Sequence, residues 1–273
     1  MIEVAVDGLV HDYPGGTRAL DGVTLRVGPG ELLALVGQNG SGKTTLVRHL
    51  NGLLRPTAGQ VRVGGMDVSG RRVAELAAQV GLVFQDPDRQ IFSGTVRAEV
   101  EFGARNVGLR GERLDAAVGA ALEAVGLSGA EATNPYDLGG SRRKLLAVAS
   151  VLAMDTPVLV LDEPTTGQDR DGVARIRQVV ARAIAAGRTV IAVSHDLRFV
   201  AETFERILVL RAGQVVIDDT PERAFGSEHW GTLRSTGLEP PTAAVLAHRL
   251  GFEGVATEEA LVAALAGQPG PGA

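Results

Sequence analysis

The residues best equipped for chemistry stand in "GQNGSGKT", Gly37 to Thr44, behind the apolar run "LLALV" and ahead of Leu46, Val47 and Leu50 at helical spacing. Glycine lets a backbone approach a bulky anion and adopt dihedrals closed to other residues. The loop of Gly37, Asn39, Gly40, Ser41 and Gly42, with the helix start behind it, offers oriented amides to a phosphate group. Lys43 then reaches terminal phosphates as a compact cation, and the Thr44 hydroxyl is placed for Mg²⁺, with Thr45 next in line. Of 27 Lys plus Arg, only Lys43 and Lys144 are lysines, and one of them falls where this pattern demands one.

A second group follows in "VLVLDEP". A carboxylate at the exit of a buried strand lies at the carboxyl edge of its sheet, where ligands bind in open α/β folds. Asp162 suits a Mg²⁺ site, and Glu163 suits a base that orients and deprotonates an attacking water. Gln85 follows "VGLVF" and His195 follows "TVIAVS". Each alone reads as an ordinary loop residue. Four apolar runs ending in a glycine loop, Gln, Asp-Glu and His assemble what nucleotide hydrolysis needs: cradle, metal ligand, base and phosphate sensor.

The elements that must carry these groups are visible as patterns. Residues 32–36, 80–84, 158–161 and 189–193 are short continuous apolar runs, as expected for strands buried on both faces of a parallel sheet. Leu114 to Val125 and Val173 to Ala183 keep helical spacing and stop at Gly126 and Gly187. Strand–helix alternation predicts an α/β domain with helices on both faces. Ahead of it, residues 2–35 alternate as antiparallel strands with turns at Pro14-Gly15-Gly16 and Pro29-Gly30. Beyond Phe225 the chain turns Gly- and Pro-rich, then offers two short amphipathic helices near 242–250 and 257–265 and a frayed "GQPGPGA".

Composition excludes several classes. The chain has 273 residues, 45% apolar and 22% charged, with a net charge of −5, so bulk attraction to nucleic acid is not expected. It has no cysteine, hence no disulfide, thiolate nucleophile or zinc–thiolate site. No run approaches the roughly 20 apolar residues that cross a bilayer, and "MIEVAVDGLV" lacks a basic head and cleavage site. The expectation is a cytoplasmic protein that meets any membrane through a partner. One stretch resists a local account: "YDLGGSRRKLLAVASVLAM" puts Arg142, Arg143 and Lys144 in a first helical turn, where each cation is disfavoured by about 0.3–1 kcal/mol.

The order and separation of "GQNGSGKT", Gln85, "LGGSR", "VLVLDEP", "TTGQD" and His195 resemble the ATP-binding cassette (ABC) ATPases over residues 1–225. The resemblance implies a P-loop fold of α/β class: a mixed sheet, an antiparallel β-subdomain, a helical subdomain over about residues 88–157, and a small C-terminal helical extension, 226–273. It implies ATP and Mg²⁺ as ligands. Tyr13 would stack on adenine, Gln85 would join Thr44 and Asp162 at the metal, Glu163 would be the base and His195 would contact the γ-phosphate. Asp169 would line a dimer contact. "LGGSR" stands for the family's Leu-Ser-Gly-Gly-Gln signature, so Gly139, Gly140 and Ser141 would face the γ-phosphate held by a second ATPase subunit, identical or paralogous. Gly139 replaces the signature serine, with Ser141 and Arg142 as candidate substitutes. On this reading an acidic partner or ATP compensates the cations in the dimer, while plain solvation stays open for them and is the expectation for the outermost of the three.

"FQDPDRQIFSGTVRAEVEFGARNVGL", "SVLAMDTPVLVLDEPTTGQD" with Gln168, and "GLEPPTAAVLAHRLG" in the tail are similar to the energy-coupling factor (ECF) importers and their cobalt-type relatives. That likeness implies uptake of a vitamin or transition-metal ion, integral membrane subunits docked near Gln85 to Gly103, a peripheral position on the inner face of the cell membrane, a tail that dimerises, and no nucleic acid. Two readings stay open beside it: a soluble ABC ATPase serving a macromolecular complex such as an iron–sulfur assembly platform, and a weakly hydrolysing member of a heterodimer. A guanine-reading Asn/Thr-Lys-x-Asp is absent, and about fifty residues between Gln85 and the signature leave no room for long coiled coils.

Overall fold

The computed structural model describes residues 2–267; residues 268–273, most of the closing "GQPGPGA", lie outside them. Among the described residues, ten strands form two sheets. The larger has the order β10-β9-β3-β8-β7-β6. In it β3 (Leu32–Val36), β6 (Val80–Val83), β7 (Val158–Asp162), β8 (Thr189–Val193) and β9 (Arg206–Arg211) run parallel, while β10 (Gln214–Asp219) pairs antiparallel with β9. The four continuous apolar runs are β3, β6, β7 and β8, and side-chain parity explains their composition. Leu33, Leu35, Val158, Val160, Ile191 and Val193 enter one core, whereas Leu32, Ala34, Leu159, Leu161, Val190 and Ala192 enter the other. A strand covered on both faces has no polar side to show.

The smaller sheet, order β2-β1-β4-β5, is antiparallel and covers the first face. It contains β1 (Val4–Asp12), β2 (Arg18–Val27), β4 (Ala58–Val63) and β5 (Met66–Asp67). Helix α1 (Lys43–Leu50) packs between the sheets through Leu46, Val47 and Leu50. β4 and β5 carry little periodic signal, because only Val61 and Val63 of β4 are buried. The β9–β10 hairpin turns at Ala212 and Gly213, both at positive φ, the two-residue turn that matches strand twist.

Helices cover the second face. α2 (Val73–Ala77) precedes β6 but sends Leu76 to the first-face core; α3 (Val96–Asn106), α4 (Gly111–Ala124) and α5 (Gly140–Leu152) pack on one another before β7; α6 (Arg170–Ala185) joins β7 to β8. Then follow α7 (Leu197–Thr203), α8 (Pro221–Ala224), α9 (Trp230–Ser235), α10 (Thr242–Arg249) and α11 (Glu258–Ala266). Among the described residues the tail forms no separate apolar cluster. Leu233, Leu238, Ala244 and Ala256 join the same apolar cluster as α3 to α6, and Trp230 Nε1 donates to Phe225 O at 2.9 Å. Leu246, Leu250, Val262 and Leu265 stay exposed on its outer side.

Candidate functional site

Strand order decides the site. Because β3, β8, β7 and β6 are parallel neighbours, Gly37, His195, Asp162-Glu163 and Gln85 emerge side by side at one sheet edge. The loop from Gly37 bends into α1 at Gly42, whose φ of 107° is closed to ordinary side chains. A Cβ there would lie 2.5 Å from Ala19 O, and one on Gly37 would collide with Leu210 O. Ala19 of β2 and Leu210 of β9 thus clamp the loop. Gly42→Ala is expected to cost about 1–3 kcal/mol in backbone strain, before any clash, and to abolish nucleotide binding. Paired thermal melts with and without ATP check this, because a variant still shifted by ATP would contradict it.

Lys43 is 6% exposed, and its ammonium donates to Gly37 O at 2.6 Å and Gln38 O at 2.9 Å. Burial lowers its pKa from the ordinary 10.5, against a smaller pull upward from Glu163 and Asp162. The Thr44 hydroxyl donates to Asp162 Oδ1 at 3.2 Å. Burial raises the Asp162 pKa, the Thr44 hydrogen bond opposes it, and the adjacent Glu163 adds to the rise. Glu163 stands at φ 51°, a left-handed conformation that costs a non-glycine residue about 1–3 kcal/mol. Its N–H donates to Val193 O at 2.9 Å, and Lys144 Nζ donates to its carbonyl. Its Oε2 accepts from Thr166 Oγ1 at 3.3 Å and lies 2.7 Å from His195 Nδ1.

A cleft of about 360 Å³ lies over this edge, lined by Tyr13, Asn39, Gly40, Gly42, Lys43, Thr44, Thr45, Gln85 and Glu163. Tyr13 is fixed at its rim: its hydroxyl is 3.1 Å from Thr45 Oγ1 and its ring stands edge-on to His11 at 4.6 Å. Ser41, within the loop, is buried. Thr17, Arg18 and Ala19 also line the cleft. The sequence reading missed them, since nothing in the turn before β2 marks it as a neighbour of the loop. Arg18 is held by Asp12 at 2.9 Å and Asp21 at 3.1 Å.

Gly139, Gly140 and Ser141 are not brought to this cleft. They start α5, with Gly139 as a cap that supplies no side-chain bond, so the first amides of the helix keep no side-chain partner. Two of the three neighbouring cations find partners inside the chain. Lys144 is buried and also donates to Thr166 O at 3.2 Å; Arg143 Nε forms an ion pair with Asp88 at 3.1 Å and its guanidinium lies 6.0 Å from the centre of the Tyr136 ring. Arg142 is exposed. Both lysines therefore lie within reach of the same carboxylates, Lys43 from the start of α1 and Lys144 from α5.

The model of the family described as ABC transporter matches residues 20–166. The chain is 42% identical over 253 residues to the energy-coupling factor transporter ATP-binding protein EcfA of Methanothermobacter thermautotrophicus, covering 90% of this chain and 80% of that one. It is 40% identical over 277 residues to EcfA2 of Symbiobacterium thermophilum, covering 97% and 96%. Several similar putative ABC transporter ATP-binding proteins are longer, and the chain spans 39% to 43% of their length. Among solved structures, cbiO1 from Clostridium perfringens, described as part of the ABC transporter complex cbiONQ, superposes with a TM-score of 0.75 at 31% identity, over 91% of this chain and 98% of that one. The ATP-binding cassette MJ0796, in a dimeric post-hydrolysis state bound to ADP and Pi, superposes at 0.72 with 26% identity, over 80% and 98%.

Proposed function

The chain belongs to the ABC transporter family and is an ATPase with the family's fold, and on that premise we propose that it is the peripheral ATP-hydrolysing subunit of an ECF-type importer. Its relatives named EcfA support the type. In this proposal two ATPase subunits, identical or paralogous, close on two ATP molecules. Each ATP rests in the glycine loop of one subunit and meets the Gly139-Gly140-Ser141 helix start of the other. The tail would add to that dimer through the exposed Leu246, Leu250, Val262 and Leu265. The cargo would be a vitamin or a transition-metal ion, which the ATPase does not touch.

The chemistry follows from the groups that line the cleft. Tyr13 holds the base, the loop amides and Lys43 hold the phosphates, and the Glu163 carboxylate takes the proton of the attacking water. With Nδ1–H on Glu163, the Nε2 of His195 is an acceptor in the neutral ring and a phosphate donor only in the imidazolium. Mg²⁺ suits Thr44, Asp162 and Gln85: Asp162 is a buried carboxylate that desolvation biases toward its neutral form, and a cation beside it offsets that cost. When bound, the ion spreads the charge that develops on the phosphates.

The observation that carries the transport reading is an apolar groove of about 560 Å³ between α2, α3 and the end of α5, lined by Ala77, Leu82, Phe92, Phe102, Val107 and Met154. Phe92 is 61% exposed, Phe102 is 48% exposed, and their rings meet edge-on at 4.7 Å. Two exposed aromatics in edge-to-face contact mark a binding surface rather than a solvated face. We assign it to a helix of the membrane subunit, whose apolar side chains would cover the two aromatics. In cells that make the whole transporter, the native chain is expected to sediment with membranes and to co-purify with integral proteins. Phe92→Asp with Phe102→Asp is expected to release it to the soluble fraction with ATP binding intact. A native chain that stays soluble, or that co-purifies with iron–sulfur assembly proteins, would select the non-transport reading.

A further inference from the structure

Gln168 and Ser141 stand at opposite ends of a long stretch of sequence and meet as a matched pair. The Ser141 hydroxyl donates to Gln168 Oε1 at 2.9 Å, and Gln168 Nε2 donates to Ser141 O at 3.1 Å. The two bonds run in opposite directions, so only one orientation of the amide satisfies both. Space for it is built in: a Cβ on Gly172 would overlap the amide oxygen of Gln168. The segment from Glu163 to Gln168 is itself stiff, with Thr166 N–H on Glu163 O at 3.3 Å and Gln168 N–H on Thr165 O at 3.1 Å. Lys144, one turn along α5, grips the same segment through the carbonyls of Glu163 and Thr166.

We propose that Gln168 is a positioning residue for hydrolysis: its amide latches the start of α5 to the segment that carries Glu163, so that a displacement of one is passed to the other. This rests on the reading given above, in which the α5 start touches the nucleotide of the partner subunit. A contact made there then adjusts the base of the chain's own site through side-chain amide, hydroxyl and ammonium bonds. Gln168 acts on no reacting atom; it holds Glu163 in register.

The test is a double-mutant cycle on the full chain with Gln168→Leu, which keeps the volume and removes both hydrogen-bonding groups, and Ser141→Ala. Each single change is expected to lower kcat by about three- to tenfold while KM for ATP moves by less than about twofold. The double variant is expected to be no slower than the slower single. Hydrogen–deuterium exchange supplies an arm that needs no turnover. Ser141→Ala is expected to speed exchange in the peptide spanning 163–169, and Gln168→Leu in the peptide spanning 140–144. A double variant whose loss is the product of the two singles, or exchange unchanged in both peptides, overturns the latch. A native chain that hydrolyses no ATP would instead overturn the functional reading, and the exchange arm would still decide the latch.

Discussion

Glu163→Gln is expected to leave ATP binding intact while lowering phosphate release by about 10²–10⁴-fold, the range for removing a positioned general base. The amide is nearly isosteric with the carboxylate, and its oxygen still accepts from His195 Nδ1 and Thr166 Oγ1, the two groups now on Glu163 Oε2. What it loses is the ability to take a proton. The glycine loop, Lys43 and Tyr13 are untouched, so a fluorescent ATP analogue should bind as it does to the native chain. Two subunits closed on ATP should then persist, visible as a stable dimer by light scattering. Turnover within about threefold of the native rate would remove Glu163 from the reaction.

Lys43→Met should act on the other half of the cycle. A hydrogen bond to a charged group contributes about 1.5–3 kcal/mol, so ATP affinity should fall by about tenfold to a hundredfold. The fold should survive. Desolvation already opposes the buried ammonium, as its lowered pKa records, and Met fills similar space without a charge to bury. A melting temperature within about 4 °C of the native value is expected without nucleotide. A collapse in stability with affinity unchanged would contradict this role.

The same pKa shifts fix a pH dependence. Lys43 and Lys144 both titrate below 10.5 in the folded chain because they are buried. Between their folded pKa values and 10.5 the unfolded chain binds more protons, so stability rises with pH through that window; at lower pH the penalty is complete. Asp162 runs the other way at low pH. Its raised pKa means the folded chain binds more protons just above 3.8, so its contribution falls as pH rises through that window. Phosphates at Lys43 favour the ammonium and so draw its pKa back up. ATP binding in the alkaline range should therefore take up protons, measurable by calorimetry in two buffers of different ionisation enthalpy.

What was legible in the sequence was whatever local rules fix. "GQNGSGKT" announces itself because glycine spacing, lysine and helix start are consecutive in the chain. The central strands show because burial on both faces leaves no polar residue in "LLALV" or "VLVL". A polar residue at the end of such a strand has one sheet edge to go to, so Gln85, Asp162, Glu163 and His195 could be grouped before any contact was known. β4 and β5 escaped because few of their residues are buried, and Arg18 because its neighbourhood is made by a sheet pairing.

The sequence by itself thus determined the fold class, the phosphate loop and the kinds of group at the sheet edge. Only the tertiary structure decided that β8 lies between β3 and β7, that His195 rests on Glu163, that Lys144 turns inward to hold the carbonyl of Glu163, and that Ser141 and Gln168 pair. The reason is physical. Periodicity and propensity record which face of an element is buried, a property of neighbours along the chain. They carry no record of which distant residue covers that face, and that is settled by how the layers pack.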